Sequence, residues 1–303
     1  AQLARHQGVG NDVGVIERAD PLLPVTLRHV EGTPIGKTPG GKVSDLNPTS
    51  DADILAWFAK VQHYDNFTVS RKMAAKDIAG QLPKALDAQS KDELQSRMLS
   101  LLNQQPGVKT FDLPHPSGAD PRPFEVVGIP LTPGFHVLEI ASQKLGAALL
   151  DERYGSERLM FVRTSVLVTN LGVHFKLGRE NAMAWVTTLD KGQPVPNARV
   201  RVSSCYGREL ATATTNAQGI ASFTGLSPRP PRCDGNHSQQ YTNAPAYFVS
   251  ARATQPAGDT KGTVEDMAFT WSDWNRGIEP WRFNLSTNTD PRPDERAHSI
   301  LDR

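Results

Sequence analysis

The fold is decided by residues 166–226, which read VLVTNLGVHFKLGRENAMAWVTTLDKGQPVPNARVRVSSCYGRELATATTNAQGIASFTGL. Apolar and polar residues alternate along several short runs of this stretch, as is typical of half-buried β-strands. In ARVRVS, at 198–203, the two arginines are expected to face outward and the two valines inward. Turn-forming sequences at 190–192 and 215–219 separate the runs. The stretch therefore predicts antiparallel β-structure.

The same pattern extends over residues 165–280, apart from a long loop rich in Pro, Cys and Asn at 227–245. About seven strands are predicted within roughly 110 residues, with turns at regular intervals. This density indicates an all-β, two-layer antiparallel sandwich of the fibronectin III or Ig type.

Residues 10–164 predict a second β domain that carries a short helical insertion at about 51–104. Ser50 or Asp51 precedes an apolar stripe at helical spacing, which predicts a helix over 51–63. Ser90 followed by Glu93 forms a capping-box pattern, and we expect a second helix over 90–104. The long extended run at 159–169 is expected to close this domain and open the next, with the division near Thr164.

Composition excludes several classes of protein. The chain has 303 residues, with 33 Lys and Arg against 32 Asp and Glu, and it has no block of like charges. This balance argues against nucleic-acid partners and against a polybasic membrane patch. No apolar run approaches the 18 or so residues of a transmembrane helix. Both ends look cut, and the chain is expected to be a fragment or a mature product.

Catalytic and metal-binding patterns are missing from the sequence. The eight histidines show no zinc-ligand spacing, and neither cysteine has a C-x-x-C partner. There is no G-x-S-x-G elbow, and the phosphate-loop-like stretch at 32–38 is one residue short and runs into Pro39. We therefore expect no enzyme activity, no catalytic residues, no metal and no cofactor.

The two cysteines, Cys205 and Cys233, lie 28 residues apart in turn-rich sequence. In an oxidising compartment they would form a disulfide that closes one long loop, whereas in a reducing one they would be two unrelated thiols.

Aromatic residues gather near the end of the chain, at Trp271, Trp274, Trp281 and Phe283. Such a group can bind sugars by stacking, but it more often caps a sandwich or seats a neighbouring domain. We favour packing against a neighbouring domain.

Residues 166–226 also resemble a known family. The strand VLVTNLGV, the run AWVTTLDKGQPV and the turn TTNAQG are similar to the third macroglobulin-type domain of bacterial α2-macroglobulins. The preceding domain is similar in plan, with a Pro-Gly-aromatic-strand pattern at 132–137, and the tail at 281–303 resembles the linker that enters a further domain. The resemblance implies tandem macroglobulin-like sandwiches whose partners are the neighbouring macroglobulin domains of the same chain.

The family implies a periplasmic protein, in some cases anchored at the inner membrane, that traps and inhibits proteases and has contacts with the cell envelope. Many members carry a Cys-x-Glu-Gln thioester. Neither Cys205 nor Cys233 is followed by that pattern, so no thioester is assigned here. These domains are expected to serve as structural parts of the larger protein.

Two alternatives of other classes remain open. The first is an Ig-like adhesin or surface-binding module, although stacked adhesin repeats resemble one another and only the first half here is predicted to carry helices. The second is an accessory domain of a carbohydrate-active enzyme, with Trp271, Trp274 and Trp281 as the stacking platform.

Overall fold

The computed structural model describes residues 13–28, 41–113, 124–155, 158–228, 230, 246–257 and 262–272 of the chain. These residues form a mainly β structure with three short α-helices. No helix within the described ranges has the length and apolar character needed to cross a bilayer. The predicted linker at 281–303 and the aromatic residues Trp274, Trp281 and Phe283 lie outside the described residues.

The first half of the chain is built on a five-stranded sheet in the order β1-β9-β8-β3-β6. Its outer strand β1 pairs in parallel with β9, and the remaining pairs are antiparallel. A separate antiparallel ribbon joins β2 to β7. The strands are β1 (Gly14–Glu17), β2 (Leu22–Arg28), β3 (Lys42–Leu46), β6 (Lys109–Asp112), β7 (Phe124–Pro130), β8 (Gly134–Ser142) and β9 (Met160–Thr169).

An insertion follows β3 and contains the first two helices. Helix α1 (Asp51–His63) confirms the prediction for 51–63, and the Ser50 hydroxyl caps it by accepting a hydrogen bond from the Asp53 amide at 3.1 Å. Next come β4 (Thr68–Ser70), α2 (Arg71–Asp77) and β5 (Glu93–Gln95), which pairs with β4, and then a 3₁₀ turn at Ser96–Met98. A third helix, α3 (Gln143–Leu149), and a 3₁₀ turn at Glu152–Tyr154 connect β8 to β9.

The predicted helix over 90–104 is wrong. Leu94 lies on β5 opposite Val69, and the Ser90 hydroxyl accepts a hydrogen bond from the Asp87 amide, so it caps no helix. Leu94, Leu101 and Leu102 are buried as predicted and Met98 is partly buried, but the stretch has an irregular conformation. Tertiary contacts stabilise that conformation, because backbone groups of this stretch form hydrogen bonds with a buried ion pair instead of with a helix.

That ion pair joins Glu139 on β8 to Arg163 on β9, with Nε and Oε2 2.9 Å apart. Glu139 accepts a hydrogen bond from the Leu101 amide, and Arg163 donates to the carbonyls of Ser96 and Leu99. Burial lowers the pKa of the Arg163 guanidinium, and the adjacent Glu139 carboxylate opposes that effect. The two side chains thus fix the insertion to the five-stranded sheet.

The second half is the predicted all-β unit, and the seven strands among its described residues confirm the sandwich. One layer has three strands in the order β10-β11-β14, and the other has four in the order β13-β12-β15-β16. All pairings within the two layers are antiparallel. The strands are β10 (Leu171–Leu177), β11 (Asn181–Thr188), β12 (Arg199–Ser203), β13 (Glu209–Thr214), β14 (Ile220–Thr224), β15 (Phe248–Pro256) and β16 (Thr263–Trp271).

The register within this half follows the alternation in the sequence. Val200 and Val202 on β12 are fully buried, whereas Arg199 is exposed and Arg201 partly exposed. The predicted turn before β14 is closed by Gly219, whose φ of +74° suits glycine. A Cβ added there would lie 2.5 Å from a backbone oxygen, so a side chain does not fit.

One large hydrophobic core spans both halves. It joins Ile54, Leu55 and Phe58 of α1 to residues of both layers of the second half, such as Val186 and Val249. There are two smaller hydrophobic cores. One lies between the five-stranded sheet and the β2–β7 ribbon, and the other lies within the insertion. Strand β9 ends at Thr169 and β10 begins at Leu171, so the sheets change at Asn170. The division into domains at 164/165 stays a prediction.

Candidate functional site

The candidate site is the junction, which we define as the contact between residues 13–169 and residues 171–272. Two buried carboxylates, an aromatic cluster and a small cleft lie there. Among the described residues, no group of three or more His, Cys, Asp or Glu could hold a metal ion. The chemistry of the junction is therefore described by its ion pairs and its packing.

Aromatic rings form the apolar part of the junction. Trp271 lies 6.1 Å from Phe58 of α1 and 5.1 Å from Phe248 of β15, measured between ring centroids. Phe269 lies 5.9 Å from Phe135 of β8 and 5.1 Å from Phe248. These separations and the tilted rings are those of favourable aromatic pairs. For Trp271, the contact favours the packing interpretation over a sugar-binding one.

The first buried carboxylate belongs to Asp266 on β16, whose side chain is fully buried. It accepts hydrogen bonds from Arg18 Nη1 at 3.0 Å, Thr169 Oγ1 at 2.7 Å, the Asn170 amide at 3.0 Å and the Met267 amide at 2.8 Å. A buried charge is tolerated when it is paired and its lone pairs are used, and both conditions hold here. Asp266 thus connects the turn after β1, the link between β9 and β10, and β16.

The second buried carboxylate is that of Asp51, the first residue of α1. Arg252 Nη2 lies 2.5 Å from its Oδ1, and the Ser250 hydroxyl donates to its Oδ2 at 2.8 Å. Arg201 Nε is 3.7 Å from Oδ2 and 3.1 Å from a carboxylate oxygen of Glu209. Since Asp51 also lies at the positive end of the helix dipole, its charge is stabilised from two directions.

Close backbone contact accompanies this ion pair. Gly207, in the turn between β12 and β13, has a φ of +76°, and a Cβ added to it would lie 2.7 Å from the Cα of Ala52 on α1. The Gly207 carbonyl also accepts a hydrogen bond from Arg201 Nη2 at 3.1 Å. Only glycine lets the helix approach this turn so closely.

Of the predicted site residues, Cys205 lies in the turn between β12 and β13, next to the junction residue Gly207. Cys233 lies outside the described residues, so the disulfide stays a prediction. Sequence reasoning missed Asp51, Asp266 and Arg18 as junction residues. The arginines of β12 were a signal for Asp51 alone, because a partly buried cation needs an anion nearby, and the sequence held no signal for Arg18 or Asp266.

Residues 168–290 match the family model described as the bacterial alpha-2-macroglobulin MG3 domain. The resemblance to bacterial α2-macroglobulins is thereby confirmed for this segment. We call residues 168–290 the MG3-like segment, and it includes every strand from β10 to β16.

Solved structures with some likeness are also fragments of such a protein. One is native alpha-2-macroglobulin from Escherichia coli spanning domains MG0-NIE-MG1, with 15% identity and a TM-score of 0.35, covering 81% of this chain and 57% of that one. The other spans domains NIE-MG1 of the same protein, with 15% identity and a TM-score of 0.39, covering 86% and 95%. Neither TM-score reaches that of a shared fold. No curated protein sequence matches the chain.

Replacing the first buried carboxylate tests the junction directly. We expect Asp266→Asn to lower the free energy of unfolding by about 3 kcal/mol, because it leaves the Arg18 charge unpaired in a buried site. Urea denaturation followed by circular dichroism measures this. The matched control is Glu265→Gln, which changes the exposed carboxylate next to Asp266 on the same strand and affects only its hydrogen bond from the Thr254 hydroxyl, with an expected change of about 0.5 kcal/mol or less. Equal effects of the two substitutions would contradict the assignment.

The second carboxylate has a control within its own helical turn. Asp51→Asn and Asp53→Asn both remove a negative charge near the N-terminus of α1, which costs about 0.3–1 kcal/mol in each case. Only Asp51 contacts Arg252 and Ser250, so its substitution is expected to cost about 2 kcal/mol more. Thermal unfolding of the two variants gives the comparison. If Asp51→Asn lowers the stability no more than Asp53→Asn does, the ion pair between Asp51 and Arg252 does not stabilise the fold.

Proposed function

We propose that this chain is a structural part of a periplasmic α2-macroglobulin-like protein that traps proteases. In this proposal the chain performs no chemistry itself. It holds neighbouring macroglobulin domains of the same polypeptide in position. The target proteases are bound by the full-length protein and not by this chain alone. Contacts with other cell-envelope proteins, and an inner-membrane anchor on the whole protein, are part of the same proposal.

The observation that carries the proposal is the family match of residues 168–290 to a bacterial alpha-2-macroglobulin domain. Domains of this type are structural modules. The E. coli protein named above contains adjacent domains of this kind in one chain, which supports neighbouring macroglobulin domains as the first partners of this one.

The junction supports a positioning role by its chemistry. Its buried groups pair with each other: Asp266 has four hydrogen-bond donors, and Asp51 is shared between Arg252 and Ser250. Groups that are saturated in this way stabilise one arrangement and offer no free acid, base or nucleophile to a substrate. A chain with such a junction is suited to keep its neighbouring domains at a fixed angle to each other.

Protease assays on two forms of the protein test this function. We expect the full natural protein that contains this chain to slow the cleavage of a large protein substrate, and the 303-residue chain alone to leave that cleavage unchanged. Fractionation of cells is expected to place the full protein in the periplasm. Hydrolysis by the isolated chain, saturable binding of glycans to it, or a full protein that leaves proteases unaffected would each overturn the proposal.

The predicted disulfide tests the compartment independently. If the chain resides in the periplasm, Cys205 and Cys233 are expected to be oxidised to one disulfide, which would contribute about 3–4 kcal/mol by closing their loop. Mass spectrometry of the protein purified from that compartment, after alkylation with and without prior reduction, counts the free thiols. Two alkylated thiols without reduction would contradict the prediction, and a Cys205→Ser variant that unfolds at the wild-type urea concentration would contradict its stabilising role.

A further inference from the structure

A cleft of about 340 Å³ opens at the polar end of the junction. Its lining consists only of polar and charged residues: Thr49, Ser50, Asp51, Arg199, Arg201 and Arg252. These side chains offer hydrogen-bond partners to a charged or polar ligand.

Three guanidinium groups converge on this cleft from the outer face of the four-stranded sheet. Arg199 on β12 and Arg252 on β15 are direct partners in the strand register, and Arg201 follows two residues after Arg199 on the same face. Like charges placed directly opposite each other on neighbouring strands destabilise a sheet unless anions compensate them. The position of the anions therefore decides what the cleft can bind.

The described residues supply two anions for the three cations. Asp51 serves Arg252 and lies near Arg201, and Glu209 serves Arg201. Arg199 is exposed and makes no hydrogen bond or ion pair with its side chain among the residues that the structure describes. Within the described part of the chain, the positive charge of Arg199 therefore has no counter-charge at the cleft.

The N-terminus of α1 borders the cleft, but its own residues occupy it. The Ser50 hydroxyl accepts from the Asp53 amide, and the Asp51 carboxylate lies between the helix and the arginines. The group that can still bind a ligand at this cleft is therefore the Arg199 guanidinium, which has a planar set of N–H donors.

We propose that this cleft binds an oxyanion, a carboxylate or a phosphate group, with Arg199 as its main ligand. A guanidinium donates two parallel hydrogen bonds to either group, and the excess positive charge adds Coulomb attraction. Thr49 also lines the cleft, and its carbonyl accepts a hydrogen bond from Arg252 Nη2 at 3.0 Å, which helps to hold that guanidinium in place. Asp51 acts as a positioning residue, because it holds Arg252 and Arg201 at the edge of the cleft.

Binding of inorganic phosphate and of citrate to the 303-residue chain tests this site. Isothermal titration calorimetry at constant ionic strength, maintained with sodium chloride, separates specific binding from screening. We expect saturable binding at one site, and a dissociation constant that rises by roughly tenfold or more in Arg199→Gln because a charge-assisted contact is lost. Arg199→Lys keeps the charge but not the planar fork, and we expect an intermediate loss.

The matched control is Arg97→Gln, which removes an exposed arginine from the insertion and is expected to bind as the wild type does. Circular dichroism is expected to show that Arg199→Gln folds, since it removes an exposed side chain that repels Arg252. If only one of the two anions binds, that anion names the ligand class. Equal affinities of Arg199→Gln and wild type, or the absence of saturable binding in the wild type, would overturn the proposal.

Discussion

The contact on which the structure depends is the packing of α1 and β8 against the outer face of the four-stranded sheet. Phe58 and Phe135 contribute rings from one side, and Phe248, Phe269 and Trp271 from the other. Burying one such side chain contributes about 1.5–3 kcal/mol, so this contact stabilises the junction more than its ion pairs do. The ion pairs contribute specificity, because a shifted α1 would leave Asp51 buried without its partners.

The second half of the fold could be predicted because its determinants are local. Alternation within ARVRVS sets which face of β12 is buried, and glycine permits the turn at Gly219. Helix α1 could be predicted for the same reason, since its cap and its apolar stripe lie within 14 residues, 50–63. The failed helix over 90–104 had an equally good local pattern. There Glu139 and Arg163, distant in sequence, bond to the backbone and stabilise another conformation.

The junction could be predicted only in part, because its contacts join residues far apart in the chain. Asp51 and Arg252 are separated by 201 positions, and Arg18 and Asp266 by 248. A single sequence gives no pattern for such pairs. The sequence did indicate that Trp271 packs against another part of the protein, since clustered aromatic residues at a strand end usually seat a neighbour. It could not indicate that the neighbour is α1 of the same chain.

The link between the halves limits where a larger protein of this kind could bend. Asn170 alone separates β9 from β10, and its amide donates to Asp266. Its carbonyl and side-chain oxygens accept from the amides of Leu189 and Asp190. Rotation at Asn170 would break these bonds together with the aromatic contact, so both sets of contacts oppose it. Under the proposed function, these contacts would hold the two halves in one arrangement within the larger protein.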